Sequence, residues 1–222
     1  AAAKTGLWIA LGSFAFANAK ALPSKNPADL VKLRNFKYAG RAPDNVNDAL
    51  GLAALELLGA KFTYVPGYRG PVKTLAAVQS DETQMGMLAL QHWIQRFKPN
   101  LIPKGQMVGL WQFSNQQPDG SFKKHPSYDD LPSFQEVYKK VHGKLPSGQL
   151  WDALQFYMKL SSIGRLLVFG PPGMNPEAHA ILSAAFEKAN KDPEVVRLLT
   201  NLNGATYDLL NAKQATKALT KV

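Results

Sequence analysis

The sequence predicts an α/β fold, and three observations carry that reading. Short apolar runs of strand length recur along the first half of the chain and alternate with segments of helix length. Capping residues and glycine stops punctuate those helical segments. The composition, 45% hydrophobic and 19% charged over 222 residues, is that of a folded chain long enough to bury a real core.

The elements follow in order. Leu7 to Leu11 and Phe14 to Ala17 read as a buried strand pair. The same stretch also has the shape of a signal peptide: Lys4, an apolar run from Gly6 to Ala17, then Ala17-Asn18-Ala19. The strand reading is preferred, because the run falls short of the ~20 residues that span a bilayer. Asn26-Pro27 opens a short helix through Leu33, with proline at its first position. Phe36 to Ala39 is a strand. Asp44 or Asn45 caps a helix that stops at Gly59. Phe62 to Val65 is the next strand, followed by Pro66-Gly67-Tyr68-Arg69-Gly70-Pro71 and a helix to about Gln79. Met85 to Ala89 is a third strand of this series, Gln91 to Phe97 a helix, and Met107 to Phe113 a fourth strand.

The stretch 114–132 is polar and turn-rich, which makes it the expected boundary. This divides the chain into 1–120, a continuous α/β lobe, and 121–222, a mainly helical part. Ser133-Phe134-Gln135-Glu136 is a capping box. A long helix runs from Gly148 to about Ile163. Leu166 to Phe169 is a short strand expected to break at Gly170-Pro171-Pro172-Gly173. An amphipathic helix spans Pro176 to Asn190, and Asp192-Pro193-Glu194 starts another.

Charge and residue types exclude several functions. With no cysteine, there are no disulfides, thiolate metal sites or cysteine nucleophiles. Lys and Arg number 26 against 16 Asp and Glu, a net charge of +10 that attracts anions. These charges are scattered except for Lys213, Lys217 and Lys221 at helical spacing, and no nucleic-acid recognition motif accompanies them. His92, His125, His142 and His179 lack metal-ligand spacing and read as surface residues. Trp8, Trp93, Trp111 and Trp151 read as core, with cleft-lining as the alternative. No nucleophile elbow, P-loop or dinucleotide fingerprint appears. The Gly170–Gly173 turn has two prolines and so offers few N–H groups to a phosphate. No acid–base or nucleophile constellation assembles, so the chain is not read as an enzyme, and no cofactor is expected.

Two stretches carry a resemblance. One is Phe36 to Gly40, the helix to Gly59, and Lys61 to Gly70 with its Gly67-Tyr68-Arg69-Gly70 turn. The other is Phe169-Gly170-Pro171-Pro172-Gly173-Met174-Asn175-Pro176-Glu177, then Ala184-Ala185-Phe186 and Asp192-Pro193-Glu194. With His125-Pro126 and Leu131-Pro132 they resemble the substrate-binding receptors of tripartite tricarboxylate transporters. The resemblance implies a periplasmic binding protein type II-like fold, with ligand held between two lobes. It also implies export to the periplasm, a small organic anion such as a carboxylate as ligand, and delivery to a membrane permease. The family's opening strand and Gly-rich loop have no counterpart here, so the chain is expected to lack the N-terminal part of the first lobe, unless that part lies outside this sequence. The alternative is a receptor-like fold retained as a non-catalytic accessory or scaffold subunit of a larger membrane-associated complex.

Within the resemblance, the expected ligand-binding residues are Gly40, Arg41, Asn45, Tyr68, Arg69 and Gly70. Loops that leave strand ends and enter helices present backbone N–H groups and positive potential to an anion. Arg41 suits a bidentate contact with a carboxylate, or it is a solvated loop residue. Tyr68 and Gly70 offer a hydroxyl and an N–H, or they form an ordinary turn. Asp44 sets a negative charge near the expected anion or caps the helix, and Gln84 stands where the family has an aspartate.

Overall fold

The computed structural model describes residues 2–8, 12–113, 115–116, 122–124, 128–163, 166–203 and 209–219. His125-Pro126 and Lys221 lie outside these residues. The chain folds as two compact units, Gly12–Met158 and Ala1–Leu11 with Lys159–Val222. The first strand, β1 (Ala2–Trp8), belongs to the smaller unit.

The larger unit is built on a five-stranded sheet. Its strands are β2 (Ser13–Asn18), β3 (Arg34–Ala39), β4 (Lys61–Val65), β5 (Met85–Ala89) and β6 (Met107–Gln112), in the order β4-β3-β5-β2-β6. β3 runs parallel to both β4 and β5, so the three strands expected near Phe36, Phe62 and Met85 are neighbours in one sheet. β2 runs antiparallel to β5 and β6. It is buried along its whole length, as an interior strand must be.

Alternation along β2 separates two packing layers. Phe14 and Phe16 meet Phe97 edge-on, with ring centroids 4.9 and 4.8 Å away. Phe97 comes from a π-helix, Trp93–Leu101, in which the Ile102 N–H reaches back five residues to the Phe97 carbonyl at 2.9 Å. The sequence reads this segment as an ordinary helix ending at Phe97. It continues to Leu101 with a widened turn across Pro99, which has no N–H to give. On the other face, Ala15 and Ala17 leave room for α1 (Val46–Leu58), whose Leu50, Ala54, Leu55 and Leu58 join Tyr38, Met85 and Met87 in the core. Gly51 of α1 allows this approach, since a Cβ there would run into the Tyr38 ring and hydroxyl and the Met87 sulfur.

Helix ends follow the capping chemistry. Asn45 caps α1 by accepting the Asn47 N–H at 3.1 Å, and Gly59 ends it in the left-handed conformation at φ 70°. α2 (Pro71–Gln79) starts on proline. The short strands β7 (Asn115–Gln116) and β8 (Phe122–Lys123) form a two-stranded ribbon. At α3 (Phe134–His142) the Ser133 hydroxyl accepts the Glu136 N–H at 3.2 Å, while the Glu136 carboxylate accepts the Ser133 N–H at 2.6 Å. Phe134 of α3 packs on Trp111 and on Trp151 of α4 (Gln149–Ile163), so these tryptophans and Trp93 are core residues.

In the smaller unit, β1 pairs antiparallel with β9 (Leu166–Pro172) and β10 (Leu209–Asn211), in the order β10-β1-β9. The two N-terminal strands therefore do not pair with one another as the sequence suggests. β9 also does not break at Gly170. As an edge strand it pairs on one side only, so Pro171 and Pro172 need no N–H on the other. The remaining elements are α5 (Pro176–Ala189), α6 (Pro193–Asn203) and α7 (Ala212–Leu219). No side chain of α5 is fully buried, and Ile181 and Leu182 are 62% and 50% exposed.

Candidate functional site

β3, β4 and β5 point the same way, so their carboxyl ends lie along one edge of the sheet. Ligands in open α/β sheets sit at such an edge. β3 feeds the loop 40–45 into α1, β4 feeds the loop 66–70 into α2, and β5 leads to Gln91 and His92. Within the larger unit these three connections enclose a cleft of about 290 Å³. Arg41, Asn45, Asn47 and Asp48 line it from the α1 side, and Tyr68, Gly70, Pro71 and Thr74 from the α2 side. Met87, Leu88, Ala89, Gln91 and His92 complete the wall.

Four of the six residues expected from the sequence thus meet in one cleft: Arg41, Asn45, Tyr68 and Gly70. Gly40 and Arg69 are not among its lining. The Gly40 N–H donates to the Val65 carbonyl at 3.0 Å, so it is turned to the neighbouring strand rather than to a ligand. Its carbonyl accepts the Tyr68 N–H at 3.0 Å, and the Gly67 N–H donates to the Arg41 carbonyl at 3.1 Å, which ties the two loops together. A side chain at Gly40 would collide with the Tyr64 ring. Its glycine is needed for that close contact.

The Tyr68 hydroxyl is also engaged. It donates to the Glu82 carboxylate at 2.6 Å, and this bond, with a smaller contribution from burial, pushes the phenol above its ordinary range. Gly70 is the N-cap of α2 at φ 91° and has no side chain with which to cap it. The first turn of α2 therefore opens on the cleft through Gly70, Pro71 and Thr74. Uncapped N–H groups and the helix dipole favour an anion at that point.

Asp48 is the residue that sequence reasoning missed. It lies three positions after the Asn45 cap and is buried. One of its oxygens accepts the backbone N–H groups of Arg41 and Ala42 at 2.6 and 2.8 Å and the Tyr64 hydroxyl at 3.1 Å. Burial pushes the carboxyl above its ordinary range, against the pull of the Ala42 and Arg41 N–H bonds, the Tyr64 hydroxyl and the Arg41 charge. Burial and the nearby Asp48 charge hold the Tyr64 phenol well above its usual value. No sequence signal marks it, because an acidic residue in a first helical turn is ordinary, and Asp48 accepts the Arg41 and Ala42 N–H groups rather than that of the Asn45 cap.

His92 lines the cleft, where the sequence reads it as a surface residue. Burial, and then the Arg96 charge, lowers its pKa from 6.5, which favours the neutral ring. Gln84 takes no part in the cleft. It precedes β5 at the opposite end of the strand, where its side-chain oxygen accepts the Lys37 N–H at 2.9 Å. Among the described residues no group of three or more His, Asp or Glu is placed to hold a metal ion. No described helix is long and apolar enough to cross a membrane.

No protein-family model and no curated protein matches this sequence. Solved structures do. A protein of R. palustris solved with adipate superposes on 99% of this chain at a TM-score of 0.67 and 15% identity. The fold is that of a type II periplasmic binding protein. MatC from Rhodopseudomonas palustris with bound malate matches 99% of the chain at a TM-score of 0.60 and 17% identity. A TctC solute binding protein from Polaromonas, without ligand, matches 100% at 0.53 and 12%. This chain spans 64%, 68% and 70% of those three chains respectively. The resemblance read from the Gly67–Gly70 turn and the Gly170–Gly173 turn therefore has its counterpart in the fold.

Proposed function

We propose that this chain carries the ligand site of an exported, non-catalytic solute receptor for a small organic anion with a carboxylate group. The observation that carries the reading is the meeting of Arg41 and the uncapped first turn of α2 in one cleft at the carboxyl edge of the sheet. The fold supports it, being similar to that of proteins solved with adipate and malate. In this reading Arg41 and the Gly70 N–H hold one carboxylate, and the receptor closes over it and presents it to a membrane permease in the periplasm.

Titration calorimetry of the chain against mono-, di- and tricarboxylates tests this, with Arg41→Ala as the control. A charged hydrogen bond of roughly 1.5–3 kcal/mol predicts about tenfold or greater weakening in the variant. Absence of binding across the whole panel would sink the reading.

A second reading is favoured by a specific observation in the smaller unit. Phe169, Ile181, Leu182, Leu198 and Leu202 are all exposed, and apolar side chains left in water are candidates for contact with a partner. A receptor-like fold serving as an accessory subunit of a membrane-associated complex would use such residues. Light scattering of the protein purified from its own source separates the two, since a receptor is isolated alone and a subunit with stoichiometric partners.

A further inference from the structure

The amide pair of the first loop is a carboxylate site that the protein fills itself. Arg41 and Ala42 are consecutive residues whose N–H groups converge on one oxygen of Asp48, with the Tyr64 hydroxyl as a third donor. Three donors around one carboxylate oxygen is the geometry expected of an anion nest. Asp48 belongs to the helix that the loop enters, and it also lines the cleft. The nest is therefore continuous with the space offered to a ligand, and its occupant is tethered to the chain.

This has a consequence for ligand class that rests on the receptor reading above. With the Arg41 and Ala42 amides taken, the positive groups left for a ligand are the Arg41 side chain and the Gly70 end of α2, beside the uncharged amides of Asn45, Asn47 and Gln91 and the His92 ring. One cation and one helix end are provision for the charge of a single carboxylate. A second carboxylate on the same ligand would find the nest filled and meet the Asp48 charge. We infer that Asp48 is a built-in carboxylate occupying the second anion position of the cleft, which restricts this chain to ligands carrying one carboxylate.

Two variants separate the elements of this idea. Asp48→Ala removes the carboxylate and leaves a vacant space bounded by the three donors, a space about the size of a formate ion. Sodium formate should raise the melting temperature of Asp48→Ala by clearly more than that of the wild type, where only the Arg41 and Gly70 position is open to it, while sodium chloride at equal ionic strength should raise neither. The excess in the variant reads the nest, whatever the physiological ligand. In the second arm, calorimetry compares propionate with succinate. The wild type should prefer propionate, and in Asp48→Ala the ratio of succinate to propionate affinity should rise by about tenfold or more, as one regained charged contact implies. Asp48→Asn keeps an acceptor for the loop amides and removes only the charge, so the ratio should rise by a few fold with the fold unchanged. If Asp48→Ala does not fold, Asp48→Asn decides: an unchanged ratio overturns the inference and a raised one supports it. A formate effect no larger in Asp48→Ala than in the wild type, together with an unchanged ratio, overturns it outright. Wild-type binding of neither acid contradicts the receptor reading instead, and the formate arm still reports on the nest.

Discussion

Replacing Gly51 by alanine sets two well-understood effects against each other at the base of the cleft. In an exposed helix interior, alanine is favoured over glycine by about 1 kcal/mol. Gly51 is not exposed. Its added Cβ would lie 2.6 Å from Cζ of Tyr38 and 2.8 Å from the Met87 sulfur, nearer still to the Tyr38 hydroxyl. Met87 is flexible enough to give way. Tyr38 is fully buried, stands against Tyr64 with ring centroids 5.5 Å apart, and offers its hydroxyl to the Asn47 carbonyl at 3.4 Å. It cannot move without disturbing α1 or β3. Overpacking of this kind costs typically 1–3 kcal/mol. The collision exceeds the propensity gain, so Gly51→Ala should be destabilised, by about 1 kcal/mol net. Urea titration followed by tryptophan fluorescence measures it. The Tyr38→Phe background supplies the control: it removes the atom that the new methyl meets first, so the cost of Gly51→Ala should shrink there. A Gly51→Ala variant more stable than wild type, or an equal cost in both backgrounds, would refute the packing argument. Because α1 carries Asn47 and Asp48 and is capped by Asn45, the displaced helix should also weaken ligand binding.

Three further outcomes follow from particular residues. Arg69→Ala should leave carboxylate affinity within about twofold, because Arg69 is outside the cleft lining, and calorimetry beside Arg41→Ala checks it. Phe186→Ala should cost well under the ~3–5 kcal/mol of a fully buried ring, since Phe186 is only partly buried and α5 buries no side chain; thermal denaturation reads the difference. For Glu136, burial acts to raise the carboxyl pKa, but the Ser133 bonds and the Lys124 charge together outweigh it and hold it below its ordinary value of 4.5. A depressed carboxylate adds stability above that value and loses it as the pH falls through the folded pKa. Glu136→Gln should therefore narrow the gap in melting temperature between pH 7 and pH 3 relative to wild type.

Local chemistry made much of the architecture legible. Asn45, Gly59, Pro71 and the Ser133–Glu136 box mark helix ends because each satisfies a backbone group that a helix end leaves open. The runs at Phe36, Phe62 and Met85 read as strands, and the short α/β connections between them place them side by side. Long-range pairing was not legible. β1 and β2 are both apolar and adjacent in sequence, yet β1 finds its partners some 160 residues or more further on, at Leu166 to Pro172 and Leu209 to Asn211. The edge position that lets β9 run through two prolines is likewise a property of the sheet, not of the segment.

The site was legible in part for the same reason. Arg41, Asn45, Tyr68 and Gly70 stand where strand ends turn into helices, and that placement follows from topology. Gly40 and Arg69 occupy the same loops, but which way an N–H or a side chain turns depends on the partner strand. Gly40 is committed to Val65 by the pairing of β3 with β4. Asp48 reads as one more acidic residue of a first helical turn until the loop folds back over it.

Amide NMR of the labelled protein during titration with a monocarboxylate tests the central claim most directly. The account predicts saturable shifts at the Gly70 N–H, at the first turn of α2 and at the Arg41 side chain, with the Gly40 N–H, held by Val65, shifting least among the loop residues. Saturable shifts confined to the lysines of α7, or no shifts at the cleft at any ligand concentration, would contradict it.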